Sequence, residues 1–262
     1  MVLSRGCTWR CAGCCGVTRG GAVVTTLCPE HTAAHLYAAA MSVLLDIHTH
    51  KSCPDVQALA IQSLEWPWSR DGHLPAVFSV GIHPWQLHEC GPEVFGQLHN
   101  VAQLPACAAI GETGLDKHAQ APVHLQQQVL LQHLQLAEAL HKPVILHCVK
   151  AWAELLQVVR SFHGSLPPMV VHGFRGKPEL AHTLLSHGLY LSFGYRYNVQ
   201  ALTACPSQRL FLETDEAPVS IAMVYGAVAS ARGCSVERLV EDCMANFRHI
   251  SNGCLIPSSY SK

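Results

Sequence analysis

The chain has 262 residues, of which 49% are hydrophobic and only 13% charged, and its formal net charge is −1. A chain of this order accommodates one full-sized α/β barrel. The near-neutral charge excludes the polybasic footprint of a high-affinity duplex-binding module, and no apolar run reaches transmembrane length, so no membrane partner is expected.

Residues 1–40 are rich in Cys, Gly, Arg and Thr and carry no sustained hydrophobic period. They are expected to be a poorly ordered leader ahead of a single domain over 41–262. Cys11, Cys14, Cys28 and His31 have a spacing that a zinc site can use, although composition alone also produces it. The leader lacks the basic start, apolar stretch and small-residue cleavage site of a secretory signal. The 13 cysteines are scattered through the chain, among them Cys107, Cys148 and Cys243, which fits reduced thiols better than a disulfide framework. A cytoplasmic location is the expectation.

From Ser42 the pattern becomes regular. SVLLDIHTH (42–50) predicts an apolar strand ending in His-x-His, and strand alternation puts His48 and His50 on one face. VQALAIQSL (56–64) predicts a second strand, with a loop through Trp66, Pro67 and Trp68. AVFSVGIHPW (76–85) predicts a third, turned after His83 by Pro84. A short helix over 93–104 precedes a fourth strand, CAAIGETGLD (107–116). There Gly111 and Gly114 flank Glu112, as expected where backbone must approach something closely. The helix over 122–142 is the clearest: Pro122 sits near its start, and Val123, Leu130, Leu134, Ala137 and Leu140 share one side.

PVILHCVK (143–150) predicts the fifth strand, and a helix carrying Trp152, Leu155, Leu156 and Val159 follows it. MVVHGFRG (169–176) predicts the sixth, and Lys177-Pro178 starts a helix that stops at Gly188. LYLSFGY (189–195) and RLFLETDE (209–216) predict the seventh and eighth. Helical patterns over 219–232 and 236–248 close the chain. Eight short apolar strands, most of them separated by helices, imply a parallel closed barrel of the TIM (β/α)8 type. The connections after the first and second strands look too short for full helices.

In such barrels the site lies where the strands end. Six of the predicted strands end in residues able to hold a metal: His48 and His50, His83, Glu112, His147, His172 and Asp215. Each alone is at home in a duller role, for example Glu112 or Asp215 as a helix cap; the conjunction favours a site. Imidazole and carboxylate suit zinc or manganese, and carboxylate also suits magnesium. His48, His50, Glu112, His147, His172 and Asp215 suffice for two divalent ions about 3.5–4 Å apart, an arrangement that activates water and clamps a phosphoryl group. Asp215, in LETDEAP (212–218), is expected to be the last ligand and the base. His83 and Trp85 are candidates to meet a phosphate and a base, since stacking is tolerant of sequence. Arg175 and Lys177, at a helix start, are candidates to hold phosphate.

The same residues carry a resemblance. LDIHTH (45–50), VGIHPW (80–85), AIGETGLD (109–116), PVILHC (143–148), VHGFRGKPELA (171–181), YLSFG (190–194) and LETDE (212–216) resemble, in order, the motifs of the TatD-like metal-dependent deoxyribonucleases, most closely the shorter bacterial branch. The resemblance implies a TIM barrel with two divalent ions. It implies that His48, His50 and Asp215 bind one, His147 and His172 the other, that Glu112 bridges them, and that Asp215 takes a proton from the nucleophilic water. The implied substrate is DNA, attacked at its ends or as short oligonucleotides and weakly held. Two other readings stay open: an amidohydrolase-type enzyme cleaving a C–N or lactone bond, and a non-catalytic metal-binding scaffold. Glu112, standing where many such amidohydrolases carry a modified lysine, argues against the first.

Overall fold

The computed structural model describes residues 43–51, 58–68, 74–91 and 93–251. The leader, its Cys11, Cys14, Cys28 and His31 spacing, and the first residues of the predicted second strand lie outside them.

Eight strands form one sheet in sequence order, every neighbouring pair parallel: β1 (Leu44–Thr49), β2 (Ala58–Leu64), β3 (Phe78–Val80), β4 (Cys107–Asp116), β5 (Val144–Val149), β6 (Met169–Val171), β7 (Tyr190–Phe193) and β8 (Leu210–Leu212). The seam between β8 and β1 is closed just past β8, where Thr49 and Asp215 form a parallel bridge. The Asp215 N–H donates to the His48 carbonyl at 3.0 Å, and the His50 N–H donates to the Asp215 carbonyl at 3.3 Å. The predicted barrel is therefore the observed architecture. All six residues of β1 and all ten of β4 are buried, which is why these runs read as continuous rather than alternating apolar sequence.

Among the described residues seven helices pack outside: α1 (Val94–Ala102), α2 (Val123–Leu140), α3 (Trp152–Ser161), α4 (Pro178–Ser186), α5 (Val199–Ala204), α6 (Ile221–Arg232) and α7 (Val236–Ile250). Their ends follow local chemistry. Asn198, Ser220 and Ser235 each accept a hydrogen bond from a backbone N–H of the first turn they precede. α7 turns Leu239, Val240, Cys243, Met244, Phe247 and Ile250 into the core, at helical spacing. Among the described residues no helix follows β1 or β2, as their short connections imply. None of the described helices is long and apolar enough to cross a membrane.

Two differences from the sequence reading matter for the site. The strands β3, β6 and β8 are shorter than predicted, so His83, His172 and Asp215 lie beyond the ladder, on backbone that has begun to turn. Asp215 itself has φ +51°. In addition, the pairing slips by one residue between Asp46 and Thr49 on β1 and between Ile110 and Thr113 on β4. Such bulges bend a strand and re-aim side chains, and these two contain His48 and Glu112.

The glycines beside Glu112 meet a specific neighbour. A Cβ on Gly111 would lie 2.5 Å from the Ile145 carbonyl oxygen, and one on Gly114 would lie 1.9 Å from that of His147. Their φ angles are +139° and +150°, outside the range side-chain-bearing residues favour. Glycine is what lets β4 press against β5 where both carry site residues.

Candidate metal centre

Glu112, 6% exposed, is the hub. Its Oε2 lies 3.3 Å from His48 Nε2 and 3.2 Å from His50 Nε2. Its Oε1 lies 2.7 Å from His172 Nε2, 2.8 Å from His147 Nδ1 and 3.4 Å from His83 Nε2. Asp215 completes the ring, with Oδ1 3.8 Å from the Nε2 atoms of both His48 and His50. Five imidazoles and two carboxylates, from β1, β4, β5 and the segments after β1, β3, β6 and β8, thus face one point.

Three of the imidazoles also have a carboxylate behind them. His50 Nδ1 lies 3.5 Å from Glu65 Oε1, His147 Nε2 lies 3.0 Å from Asp116 Oδ2, and His172 Nδ1 lies 3.5 Å from Glu213 Oε1. The His147–Asp116 contact is a hydrogen bond, and the other two are ion-pair distances; an outward N–H donated to a carboxylate fixes the tautomer and leaves the inward nitrogen with a lone pair, the second layer that metal-binding histidines carry. The backing groups are themselves anchored. Asp116 accepts from the Trp85 indole N–H at 2.8 Å and the His118 N–H at 2.7 Å, and Glu213 accepts from the Gly173 N–H at 2.6 Å.

His48 differs: it is fully buried, and neither ring nitrogen makes a hydrogen bond among the described residues. A buried imidazole without partners is costly, and a cation at its inward nitrogen would supply one. The donor geometry agrees. In each of three sets, His48–His50–Glu112, His48–His172–Asp215 and His83–Glu112–His147, one ligand atom per residue lies within 4.8 Å of the others. The residues present fit a divalent metal of borderline character.

The protonation states follow from the crowding. Burial alone would push Glu112 up, but the His172 charge, the bonds from His147 and His172 and the His48 imidazole beside it outweigh it and hold the carboxyl well below its usual range. Burial would likewise lower His172, yet Glu112 and Glu213 on either side raise it well above the ordinary imidazole value. His50 is raised against its burial, chiefly by Glu112. Glu213 is held low against full burial by its contact with His172. Protons and divalent cations therefore compete for the same atoms.

The structure brings together all six residues expected as ligands, and His83 joins them at the same distances. A cleft of about 410 Å³ opens over them, its wall formed by His83, the exposed indole face of Trp85, Glu65 and Glu216. Arg175 is exposed and lines a second cleft instead, whereas Lys177, the residue capping α4, lines neither.

The sequence reading did not assign roles to several supporting residues. Glu65, Asp116 and Glu213 are the backing carboxylates. Asp46 accepts from the Thr214 hydroxyl at 2.6 Å and the Thr214 N–H at 3.0 Å, steadying the residue before Asp215. Burial pushes the Asp46 carboxyl up to about 7 despite those bonds. His133, fully buried on α2, donates from Nδ1 to the Val129 carbonyl at 2.7 Å, and its Nε2 accepts the Ile82 N–H at 3.0 Å, beside His83. Glu213 and Asp46 carried a readable sign: each stands two residues from a candidate ligand, on the same side of a strand.

A parallel barrel whose strand ends converge on histidines and carboxylates, three of the imidazoles backed by a further carboxylate, defines a metal-dependent hydrolase of the TIM-barrel type. Residues 68–252 match the model of the TatD related DNase family. The chain is 31% identical over 195 residues to the uncharacterized metal-dependent hydrolase YcfH of Escherichia coli K12, covering 66% of this chain and 73% of that protein. It is 30% identical over 220 residues to the protein named 3′-5′ ssDNA/RNA exonuclease TatD of Erwinia billingiae, covering 74% of this chain and 81% of that one. The fold matches the crystal structure of the TatD homologue YjjV of Escherichia coli K12 with a TM-score of 0.69 at 21% identity, over 82% of this chain and 99% of that one. The chain belongs to the TatD family of metal-dependent hydrolases.

Proposed function

We propose that this protein hydrolyses phosphodiester bonds at DNA ends or in short oligonucleotides. The observation that carries this reading is the ring of imidazoles around Glu112, three of them backed by carboxylates. That is a device for presenting lone pairs to divalent cations rather than for storing protons. His48, His50 and Asp215 would hold one cation, His147 and His172 the other, and Glu112 both, with zinc, manganese and magnesium all compatible with some of the donors. Such ions supply a polarised phosphoryl group and a water of lowered pKa.

The chain's own residues do the rest. Asp215, its side chain 28% exposed at the cleft, takes the proton of the attacking water. His83 and Trp85 orient the substrate, the indole offering a stacking face held in place by its bond to Asp116. Arg175 contacts the strand from the neighbouring cleft, and Lys177 contributes at most long-range attraction. The names carried by relatives, 3′-5′ ssDNA/RNA exonucleases among them, favour a single strand entered from its 3′ end. The net charge of −1 favours weak holding. Cys90, Cys107, Cys148, Cys205, Cys234 and Cys243 are free thiols, which supports a reducing compartment, the cytoplasm.

The test is nucleotide release from single- and double-stranded oligonucleotides with and without divalent metal, wild type beside Asp215→Asn. Loss of a general base costs ~10²–10⁴-fold, so turnover should fall by at least about 100-fold while the melting temperature holds. Full activity in Asp215→Asn would remove it from the role of base. Metal-independent turnover would sink the whole reading.

A further inference from the structure

A second cleft, of about 450 Å³, lies beside the first, walled by Gly173 and Arg175 after β6, Tyr195 and Arg196 after β7, and the segment from Glu213 to Val219. Asp215 and Glu216 line both clefts and form the ridge between them. Three features of this second cleft point to one ligand.

The first is unspent positive charge. Arg209 and Arg232 are committed to backbone carbonyls and Arg238 to Asp242. Arg175 and Arg196, both exposed, make no hydrogen bond or ion pair among the described residues. Two guanidinium forks are thus free at one opening, the group best shaped to grip phosphate oxygens. The second is aromatic. Among the described residues the exposed large hydrophobic side chains include two aromatics, Trp85 at 57% and Tyr195 at 54%, and each lines one of the two clefts. An exposed ring beside a free cation is the combination that binds single-stranded nucleic acid without sequence preference. The third is the acidic ridge. Glu213 is fully buried and bonded to the Gly173 N–H, and Asp215 faces the metal centre, so Glu216 is the acid left to oppose an incoming phosphate. It disfavours a phosphate on the ridge and favours one displaced toward the arginines.

We infer that the second cleft is a subsite for the single strand next to the scissile bond, with Arg196 and Arg175 meeting its phosphate and Tyr195 stacking on its base. The strand then straddles the Asp215–Glu216 ridge, one base on Trp85 and the next on Tyr195. This rests on the phosphodiesterase reading for its substrate class, but its test does not rest on turnover.

The measurement is the anisotropy of a fluorescein-labelled, phosphorothioate-linked hexathymidylate titrated with the full chain, metal content as isolated, over a series of salt concentrations. Arg196→Ala should weaken binding by about 5- to 10-fold and lower the slope of log affinity against log salt by about 0.7, the loss of one single-strand phosphate contact. Tyr195→Ala should weaken it by at least about 5-fold, the lower end for a stacked base. Tyr195→Phe, which keeps the ring, should restore wild-type affinity. Where turnover is measurable, the loss in kcat/KM on the hexanucleotide should exceed that on a small chromogenic phosphodiester by at least tenfold. Unchanged affinity and salt slope in both alanine variants overturns the subsite, and so does equal loss on the large and small substrates. Wild-type protein that binds the strand in this pattern yet turns over neither substrate refutes the phosphodiesterase reading while upholding the subsite.

Discussion

Asp116→Asn tests the orientation of the metal centre by one atom. The Asp116 carboxylate is 2% exposed and held at both oxygens: Oδ2 accepts the Trp85 indole N–H at 2.8 Å and faces His147 Nε2 at 3.0 Å, and Oδ1 accepts the His118 N–H at 2.7 Å. In the asparagine variant one oxygen becomes an NH2 group of nearly the same size. If the oxygen stays with His118, the NH2 faces the indole N–H and the imidazole. His147 can satisfy it only by moving its proton to Nδ1, the atom 2.8 Å from Glu112 Oε1 that should offer its lone pair inward. If the amide turns over, the NH2 meets the His118 N–H and leaves two donors opposed. Either way a hydrogen bond to a charged acceptor is lost, which costs ~1.5–3 kcal/mol. That corresponds to roughly 10–100-fold in metal affinity or activity, the usual loss when the group behind a ligand is removed. Isothermal titration with zinc or manganese reads it directly, and kcat/KM should fall in proportion. An affinity within twofold of wild type would mean that the tautomer of His147 is not set from behind, and the account of all three carboxylate–histidine pairs would fall with it.

Gly114→Ala puts a Cβ 1.9 Å from the His147 carbonyl at φ +150°, so it should lower unfolding stability by at least ~3 kcal/mol, whereas Gly226→Ala, with open space around it, should be neutral or slightly stabilising; equal denaturation midpoints for the two would contradict the packing of β4 on β5. Burial lowers His133 from 6.5 to about 4, so the unfolded state binds the extra proton between those values, and the stability this residue contributes is lost as pH falls through that interval, ~3 kcal/mol in all. Asp46, raised to about 7, acts with the opposite sign over much of the same range, so the check is the pH profile of His133→Gln against wild type; parallel profiles would deny the buried neutral imidazole. Divalent metal at 100 times its dissociation constant should add ~2.7 kcal/mol of stability, a shift of about 5–10 °C in melting temperature, and identical melting of chelated and metal-loaded protein would argue against a preformed centre.

Much of this was legible because a parallel barrel writes its plan along the chain. Buried strands such as LLDIHT and CAAIGETGLD are largely apolar runs broken by a few polar residues, and the breaks at His48, Glu112, His147, His172 and Asp215 all fall toward one end of the sheet. The backing carboxylates were not legible in the same way. Glu65 looks like an ordinary loop acid and Asp116 like the end of its strand until β2 and β4 are set beside β1 and β5, since their partners are His50 and His147. The bulges at His48 and Glu112 left no sign beyond the glycines, because register is a property of pairs of strands. His133 reads as a stray polar residue on the apolar side of a helix, and only the Ile82 N–H shows why it is there. The helix α5 is six residues long, too short to establish a period, and its cap, Asn198, was the one local cue.

The seam of the barrel gives these features a common cause. Closing the sheet requires β8 to meet β1, and the junction is made where the site residues stand: the Asp215 N–H is bonded to the His48 carbonyl, and the Thr214 hydroxyl to Asp46 Oδ2 and to Thr49 Oγ1 at 2.9 Å. The same hydrogen bonds that finish the fold therefore fix the approach of Asp215 to His48 and His50. A slip of one residue in either strand would turn every side chain to the other face and separate them. Closure tolerates no such slip, because the remaining strand pairs leave β1 and β8 nowhere else to meet. Precision at the centre then needs no dedicated scaffold beyond the barrel itself. Substrate preference is free to vary in the loops past the strands, where Trp85, Tyr195 and Arg196 stand exposed and outside the ladder.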